Sequence, residues 1–270
     1  MGLIPKMQRP ENRKITPLTV SRNTQLSPSF RRITLTGPGL TDLQYLGFDQ
    51  MVRFFFTRED QTELCLPTLS NDAWIAQTLL QPRSRRPWVR NYTIRHFRPD
   101  DLELDIDFVR HEDAGPASSW AERAKAGDPA GILDEGIAYL PQRTTKWHLL
   151  VGEESAVPAI LAILESSPPQ LRAEVFLEVP TASDILEDFN THEGIRLHWI
   201  PRSNHDMRPG ARVLEEVKNA SLPDGESYTW VAGEQQLPTG LRRYLVNDRK
   251  IPKSHITFSG YWRQGKNAPG

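Results

Sequence analysis

Short runs of alternating hydrophobic and polar residues dominate the first half of the chain. Proline, glycine and aspartate separate these runs, and β-branched or aromatic residues are frequent inside them. A pattern in which every second residue is apolar is typical of half-buried β-strands. Five or six such strands with turns between them predict a closed or nearly closed antiparallel β-barrel. The runs are ITPLTVSRN, FRRITLTG, MVRFFFTR, RNYTIRHF and ELDIDFVRH.

Two segments of this half depart from the alternation. Residues 65–88 contain three prolines and no clean period, which predicts a long excursion with one helical turn. The stretch SSWAERAKAGD predicts a short helix, for which Ser118 or Ser119 supplies the N-cap and Gly127 the stop.

The pattern changes near Thr144, where strand-like runs begin to alternate with helical ones. This alternation predicts a doubly wound, mainly parallel sheet. We therefore expect a barrel domain over residues 1–142 and an α/β domain over residues 143–270. The predicted strands are KWHLLVG, RAEVFLEVP, IRLHWIPR, YTWVAGE and ITFSGYW, and the predicted helices are VPAILAILESS, SDILEDF, ARVLEEVKNA and LPTGLRRYLVND.

Composition and charge exclude several classes of protein. Hydrophobic residues make up 38% of the chain and charged residues 25%, which is typical of a globular protein. The formal net charge is -1, so we expect no nucleic-acid partner. Cys65 is the only cysteine, which excludes an intrachain disulfide and a protein-held iron–sulfur cluster. The seven histidines lack metal-ligand spacing, so we expect no protein-held metal.

The N-terminus and the hydropathy pattern bear on location. We find neither a signal-peptide core nor an apolar run of membrane-spanning length, so we expect a cytoplasmic protein with no membrane partner. The sequence does not indicate an oligomeric state.

The stretch RNYTIRHF is the first candidate for chemistry. With ELDIDFVRH it predicts a hairpin, after which small residues open a helix whose free N–H groups suit an anion such as a pyrophosphate. Ser118 and Ser119 add hydroxyl donors, Tyr92 offers a ring for a planar cofactor, and Arg90 supplies a cation. From the residues alone, a helix cap and an ordinary strand surface explain the same pattern equally well.

Four motifs together resemble the siderophore-interacting protein family, the flavin-dependent ferric-siderophore reductases of the ferredoxin-reductase-like superfamily. They are RNYTIR, LDIDFVRH, GPASSWAERAKAGD and GYWRQGK, and the similarity runs in the family's order from Leu18 to Lys266. The resemblance implies an N-terminal antiparallel FAD-binding barrel followed by a C-terminal, mainly parallel NAD(P)-binding sheet with helices. The flavin contacts that it implies are Arg90, Tyr92 and Thr93 on one strand, Asp107, Phe108, Val109 and His111 on the next, and Gly115, Pro116, Ala117, Ser118, Ser119 and Trp120 at the pyrophosphate turn.

The resemblance also implies a path for NADPH or NADH in the second domain. Two strand-to-helix turns lie on this path, although neither has the glycine spacing of a dinucleotide fingerprint and both are also explained as ordinary turns. Arg202, just past a strand end, would suit the 2′-phosphate of NADPH, whereas a solvated loop arginine is the alternative. The residues of the two turns are Gly152, Glu153, Ser155, Ala156, Pro158, Gly233 and Glu234.

Arginines are the candidates for substrate binding. The resemblance places Arg53 near the flavin and the substrate. Arg85 and Arg86 form a basic patch that would attract an anionic ferric siderophore, with a solvated loop as the alternative. One segment departs from the family pattern: Pro129 is expected to interrupt a strand, and Asp134 and Glu135 are expected to line the mouth of the site and repel an anion.

We therefore expect a reductase that passes electrons from NAD(P)H through FAD to Fe(III) in a siderophore and releases Fe(II) for iron assimilation. Asp134 and Glu135 favour an alternative, a flavin reductase of the same fold that serves a ferredoxin, a quinone or free flavin. A protein that binds a siderophore without turning it over is the third hypothesis.

Overall fold

The structure, a computed structural model, describes residues 6–110, 115–202 and 207–265. The chain forms two compact units, of which one spans Gln8–Ile137 and the other begins at Ala138. The first contains an antiparallel sheet and the second a parallel sheet with helices, so the predicted fold class is confirmed. None of the helices in these described ranges has the length and apolar character that crossing a bilayer requires.

Seven antiparallel strands form the sheet of the first unit. They are β1 (Ile15–Gln25), β2 (Phe30–Thr36), β3 (Met51–Phe56), β4 (Trp88–Thr93), β5 (His96–Arg98), β6 (Glu103–Val109) and β7 (Pro129–Gly136). Their order in the sheet is β4-β3-β7-β1-β2-β6-β5. Pro129 begins β7 and does not interrupt a strand, because the first residue of a strand can lack an N–H donor.

The run RNYTIRHF, which we predicted as one strand, changes its partner in the middle. β4 pairs with β3, whereas β5 pairs with β6. Between them, the N–H of Ile94 donates to the carbonyl of Gln50 at 2.9 Å and the N–H of Arg95 donates to the carbonyl of Asp105 at 2.8 Å. β2 pairs with β6 along its whole length, whereas on the other edge β5 pairs only with Glu103–Asp105, so the second half of that edge has no strand beside it.

An aromatic cluster fills the barrel and reaches its helix α2 (Pro116–Arg123). The ring of Phe54 lies 5.1 Å from that of Trp120, 5.5 Å from Phe108 and 5.9 Å from Tyr92, measured between centroids. Our prediction of a serine cap for this helix is wrong: Gly115 is the N-cap, and the helix ends at Arg123, before Gly127.

The excursion before β4 contains one helix, α1 (Trp74–Leu80). Its buried Trp74 packs on Phe55 at 5.4 Å, on the side of β3 that faces away from Phe54. Successive strand residues point to opposite faces. Phe55 therefore contacts α1 on the outer face of the barrel, while Phe54 contacts α2 from the interior.

The second unit is a five-stranded parallel sheet in the order β10-β9-β8-β11-β12. Its strands are β8 (Trp147–Gly152), β9 (Ala173–Val179), β10 (Ile195–Pro201), β11 (Ser227–Glu234) and β12 (Ile256–Trp262), and its helices are α3 (Val157–Ser166), α4 (Ala211–Asn219) and α5 (Gln236–Asn247). The order reverses between β8 and β11, and open α/β sheets bind ligands at the carboxyl ends of the strands at such a point.

The predicted helix SDILEDF is absent: only a 3-10 turn over Ala182–Asp184 forms there. The carboxylate of Asp184 turns back to accept hydrogen bonds from the N–H and the hydroxyl of Thr181. A helical pattern of only seven residues gains few hydrogen bonds against the cost of nucleation.

Phe54→Ala should destabilise the barrel unit by about 3–5 kcal/mol, because it leaves a cavity at the centre of the aromatic cluster. The measurement is the free energy of unfolding by chemical denaturation. Leu80→Ala is the matched control, since Leu80 is 85% exposed and should change that free energy by less than about 0.5 kcal/mol. Equal effects of the two changes would contradict this packing.

Candidate functional site

The unpaired half of β6 is the first part of the candidate site. Hydrogen bonds alternate in direction along an antiparallel strand, and here the N–H of Arg110 donates to Ser29 on the β2 side, whereas the carbonyl of Asp105 accepts from Arg95 on the other side. The main-chain groups of Asp107 and Val109 therefore point away from β2, toward the edge where no strand pairs.

The first turn of α2 lies at this same edge. The hydroxyl of Ser118 donates to the carbonyl of Val109 at 2.8 Å, which fixes the start of the helix against the end of β6. The N–H groups of Ala117 and Ser118 have no acceptor within the helix, and the N-cap Gly115 offers no side chain. A Cβ added to Gly115 would meet nothing within 4 Å, so there is space beside these donors.

Arg90 and Tyr92 lie on the same face of β4, two residues apart. The Tyr92 ring lies 4.2 Å from that of Phe108 on β6, and burial raises the pKa of Tyr92 well above its usual range, so the phenol stays neutral. Burial also lowers the pKa of Arg90, but an arginine remains charged at neutral pH. The Tyr92 ring thus lies against Phe108 of β6, whereas the Arg90 guanidinium lies 5.1 Å from the centroid of the Trp88 ring on its own strand.

These groups fit the two ends of a flavin dinucleotide. Free N–H donors at a helix N-terminus bind pyrophosphate, and an edge of unpaired main-chain groups beside an aromatic ring suits the polar rim of a planar cofactor. Pro116 and Ser119 are half-buried in the same helical turn, and Thr93 is buried at the end of β4. His111, the remaining predicted contact of this strand, lies outside the described residues.

Several predicted flavin contacts have other structural roles through their side chains. The Asp107 carboxylate accepts two hydrogen bonds from Arg32, at 2.7 and 2.9 Å. We expected the Ser118 hydroxyl to donate to a ligand, but it donates to the carbonyl of Val109. The side chains of Phe108, Ala117 and Trp120 belong to the barrel core. For these residues, only main-chain atoms remain for a cofactor.

Two of the three arginines predicted to bind substrate contact α1: Arg53 lies 5.9 Å from the centroid of the Trp74 ring, and Arg86 bonds the carbonyl of Leu79. Arg53 is opposite Asn91 in the β3–β4 pairing and therefore lies on the face away from Tyr92, where its Nε bonds Glu135 at 3.0 Å. A role for Arg53 in substrate binding stays a prediction. Arg85 is exposed and donates to Cys65, and Arg86 donates to main-chain carbonyls at the end of α1.

Asp134 and Glu135 do not repel anions at a mouth, which corrects our expectation. Both are buried, at 6% and 4% exposure. Asp134 accepts from the side chain of Gln50 at 2.6 Å, and Glu135 pairs with Arg53 and with Arg13 at 2.9 Å. Charges that are paired inside the protein exert little field outside it.

In the second unit, the two predicted turns come together at the ends of β8 and β11. Gly152 pairs with Ala232 across these strands. A Cβ on Gly152 would lie 2.6 Å from that of Ala156, so a glycine is required for α3 to begin this close to β8. Gly233 has φ 137°, a conformation that favours glycine. A Cβ added there would lie 2.7 Å from Oε1 of Glu153.

Glu153 is the centre of this junction. Its carboxylate is fully buried and accepts hydrogen bonds from the N–H and hydroxyl of Ser155, from the N–H of Glu234 and from the indole of Trp262. Burial, followed by the charge of Glu154, raises the pKa of Glu153 to about 8, although these bonds favour the charged form. The side chain therefore ties β8, β11 and β12 together.

Glu234 completes the junction. Its carboxylate accepts from the N–H of Gln236 at 2.8 Å, at the start of α5, and from the N–H of Gln264 at 3.2 Å. Arg208 pairs with it at 3.2 Å. The predicted residues Gly152, Glu153, Ser155, Gly233 and Glu234 are thus brought together, but their acids bond the protein itself.

The guanidinium of Arg202 already bonds two carboxylates and does not lie open to a 2′-phosphate, which corrects our interpretation of this residue. It is 8% exposed and bonds both oxygens of Glu154, at 2.8 and 2.9 Å, and Glu178 at 2.7 Å. Glu178 also accepts from the N–H groups of Gly210 and Val213, at the start of α4. The arginine neutralises two buried carboxylates.

Two residues of this edge were missed by sequence reasoning. Trp262 lies in the motif GYWRQGK, but nothing in the sequence indicates that its indole bonds Glu153. Glu178 did carry a signal, since it is a charged residue within the otherwise apolar strand pattern EVFLEV.

Two family models match the chain: "Siderophore-interacting FAD-binding domain" over residues 19–139 and "Siderophore-interacting protein" over residues 145–265. The ferric vibriobactin reductase ViuB of Vibrio cholerae is 32% identical, over 91% of this chain and 88% of the relative. The siderophore-interacting protein SipS of Aeromonas hydrophila is 32% identical, with a TM-score of 0.78 over 94% of each chain. A siderophore utilization protein from T. fusca is 26% identical, with a TM-score of 0.81 over 98% of this chain and 97% of its own. The resemblance drawn from the four motifs is confirmed.

The raised pKa of Glu153 predicts a pH dependence. The folded protein retains a proton that the unfolded chain loses near pH 4.5, so this group's contribution to stability should fall as pH rises from 4.5 to about 8, by at most about 1.4 kcal/mol per pH unit. Glu153→Gln should flatten the dependence of the unfolding free energy on pH. Glu216→Gln, on the exposed face of α4, is the control and should leave it unchanged; identical profiles of both variants would refute the assignment.

Proposed function

The chain belongs to the siderophore-interacting protein family, and from this premise we propose that it passes electrons from NAD(P)H through FAD to Fe(III) held in a siderophore. The released Fe(II) enters iron assimilation. The observation that supports this proposal most directly is the edge of β6 without a strand, at the start of α2 that has no side-chain cap, with the Tyr92 ring against Phe108. The single cysteine is in keeping with a cytoplasmic site of action.

In this proposal the barrel binds and orients the cofactor. The N–H groups of Ala117 and Ser118 hold the pyrophosphate, with Arg90 as the nearby cation. The neutral phenol of Tyr92 flanks the ring system. The N–H groups of Asp107 and Val109 and the carbonyl of Asp107 face the polar rim of the flavin, while the Val109 carbonyl accepts from Ser118.

FAD supplies the exchange between a hydride, accepted as an electron pair, and single electrons delivered to iron. The protein needs no general acid or base for the reduction of Fe(III). Fe(II) is a poorer match than Fe(III) for the hard oxygen ligands of a chelator, so reduction favours release. The tasks of the chain are therefore to hold the cofactor and to admit the chelate and the nicotinamide.

We propose that the nicotinamide dinucleotide approaches the ends of β8 and β11, where the sheet order reverses. Ser155 is the half-buried residue of these turns, Gly152 and Gly233 are buried behind it, and Glu153 and Glu234 hold the strand ends together. Since Arg202 is occupied by two carboxylates, it does not favour NADPH over NADH, and either donor is consistent with this proposal.

For the substrate, Arg85 and Arg86 remain predictions. Their charges would attract an anionic ferric chelate to the segment that precedes β4. The observation that favoured a different acceptor has fallen away, because Asp134 and Glu135 are buried and have partners. A ferric siderophore is therefore the acceptor that we propose.

Replacement of Arg90 or Tyr92 by alanine should weaken FAD binding at least about ten-fold, because a charge-assisted contact and an aromatic wall are lost. Titration of the apoprotein with FAD, followed by flavin fluorescence, measures this. Asn91→Ala is the matched control, since Asn91 lies between them on the opposite face of β4 and bonds Arg53. Full FAD affinity in the Arg90→Ala/Tyr92→Ala double variant would refute this location.

The function itself is tested by the visible spectrum of the purified protein under anaerobic conditions. We expect twin flavin bands that bleach with NADPH or NADH and return when a ferric siderophore is added. Bands that persist with both nucleotides would contradict a nicotinamide donor. A colourless protein that does not take up added FAD would favour the binding protein without turnover.

A further inference from the structure

Exposed apolar side chains concentrate in one part of the barrel unit. Of the six large hydrophobic side chains exposed in the described ranges, four lie in the excursion before β4. The most exposed is Leu80, at 85%. The four are Leu69, Ile75, Leu79 and Leu80.

These four side chains form one surface around α1. Ile75 and Leu79 are four residues apart and share a helix face, which is turned by about 100° from the face on which Trp74 and Thr78 are buried. Gln77 accepts hydrogen bonds from the N–H of Leu69 and from that of the residue before it, which places Leu69 beside the helix.

Cations border the apolar surface. Arg86 donates to the carbonyl of Leu79 and so lies at the C-terminal end of α1. Arg58 donates to the carbonyl of Arg86 at 2.7 Å, and burial, followed by the charges of Arg83 and Arg86, lowers the pKa of Arg58. The arginines are therefore close enough to repel one another.

Few carboxylates balance these charges. Among the described residues, Arg58, Arg83, Arg85 and Arg86 make no ion pair. The acids Glu59 and Asp72 of the same excursion pair with arginines elsewhere in the barrel unit. The remaining acids of this part of the described chain are Asp60, whose charge acts on Arg58, and Glu63, whose charge acts on Arg85, so four arginines lie near two carboxylates. The Leu–Arg surface is the set Leu69, Ile75, Leu79, Leu80, Arg83 and Arg85.

We propose that the Leu–Arg surface docks on an anionic phospholipid bilayer. Leucine and isoleucine side chains next to arginines are the combination that inserts apolar groups at the headgroup boundary and attracts negative headgroups. Such contact is peripheral, and it departs from our sequence-based expectation of no membrane partner, which rested on spanning segments alone.

A soluble anionic chelate would use the same arginines but has no need of four apolar side chains. The two occupants are therefore distinguished by the leucines. Docking of this kind would place the protein at a bilayer, where an amphiphilic chelate would also collect. The docking itself does not depend on the reductase activity proposed above.

The test is sedimentation of the full-length protein with vesicles of phosphatidylcholine, with and without an equal amount of phosphatidylglycerol. We expect binding to the anionic vesicles that weakens with salt, and little binding to the neutral ones. Leu79→Ser/Leu80→Ser should weaken partitioning about ten-fold or more, and Arg83→Gln/Arg85→Gln about five-fold for each arginine.

Arg243→Gln/Arg249→Gln is the matched control, because it removes the same two charges from exposed positions of the α/β unit. It should leave vesicle binding unchanged. No binding of the unaltered protein to anionic vesicles would overturn the proposal, as would an equal loss in this control or full binding by the leucine variant. So would a dimer in solution that the leucine variant dissociates, because the surface would then belong to a second copy of the chain.

Discussion

The barrel depends on one change of strand partner. At Ile94 and Arg95 the chain leaves β3 and joins β6, and two main-chain hydrogen bonds fix the position of that change. Because β5 has only three residues, the end of β6 has no strand beside it on one edge. The main-chain groups of Asp107 and Val109 face that edge, while the aromatic cluster keeps the interior closed. The cofactor site that we propose at this edge therefore does not require a cavity in the core.

The two edges at which we propose ligand binding differ in how far their polar groups already bond the protein. At the barrel edge, the first N–H groups of α2 have no acceptor within the helix, and Arg90 lies over the Trp88 ring. At the edge of the parallel sheet, buried carboxylates are already surrounded by donors of the protein, as with Glu153 and its four hydrogen bonds. The barrel edge suits an anionic group directly. The acids of the second unit instead fix the ends of three strands, so that a dinucleotide would bind a preformed surface and not the acids themselves.

The sequence predicted the features that local pattern encodes. Alternation predicted the barrel strands, and strand–helix alternation predicted the parallel sheet. It could not predict partners that lie far apart in the chain. The face of Arg53 follows from its register with Asn91 on another strand, and the partners of Arg202 lie 24 and 48 residues away. The sequence around Trp120 fits both a turn motif and an amphipathic helix. Only the packing of Trp120 against Phe54 decides between the two.

The central claim is that the flavin occupies the edge between β4, the end of β6 and the start of α2. Amide hydrogen exchange, measured by NMR on the apoprotein before and after addition of FAD, tests this most directly. We predict that exchange at Asp107, Val109, Ala117 and Ser118 slows at least about ten-fold, because their N–H groups gain an acceptor. Exchange at Phe108, which already donates to β2, should change little. Unaltered exchange at all four amides in a protein saturated with FAD would contradict the account.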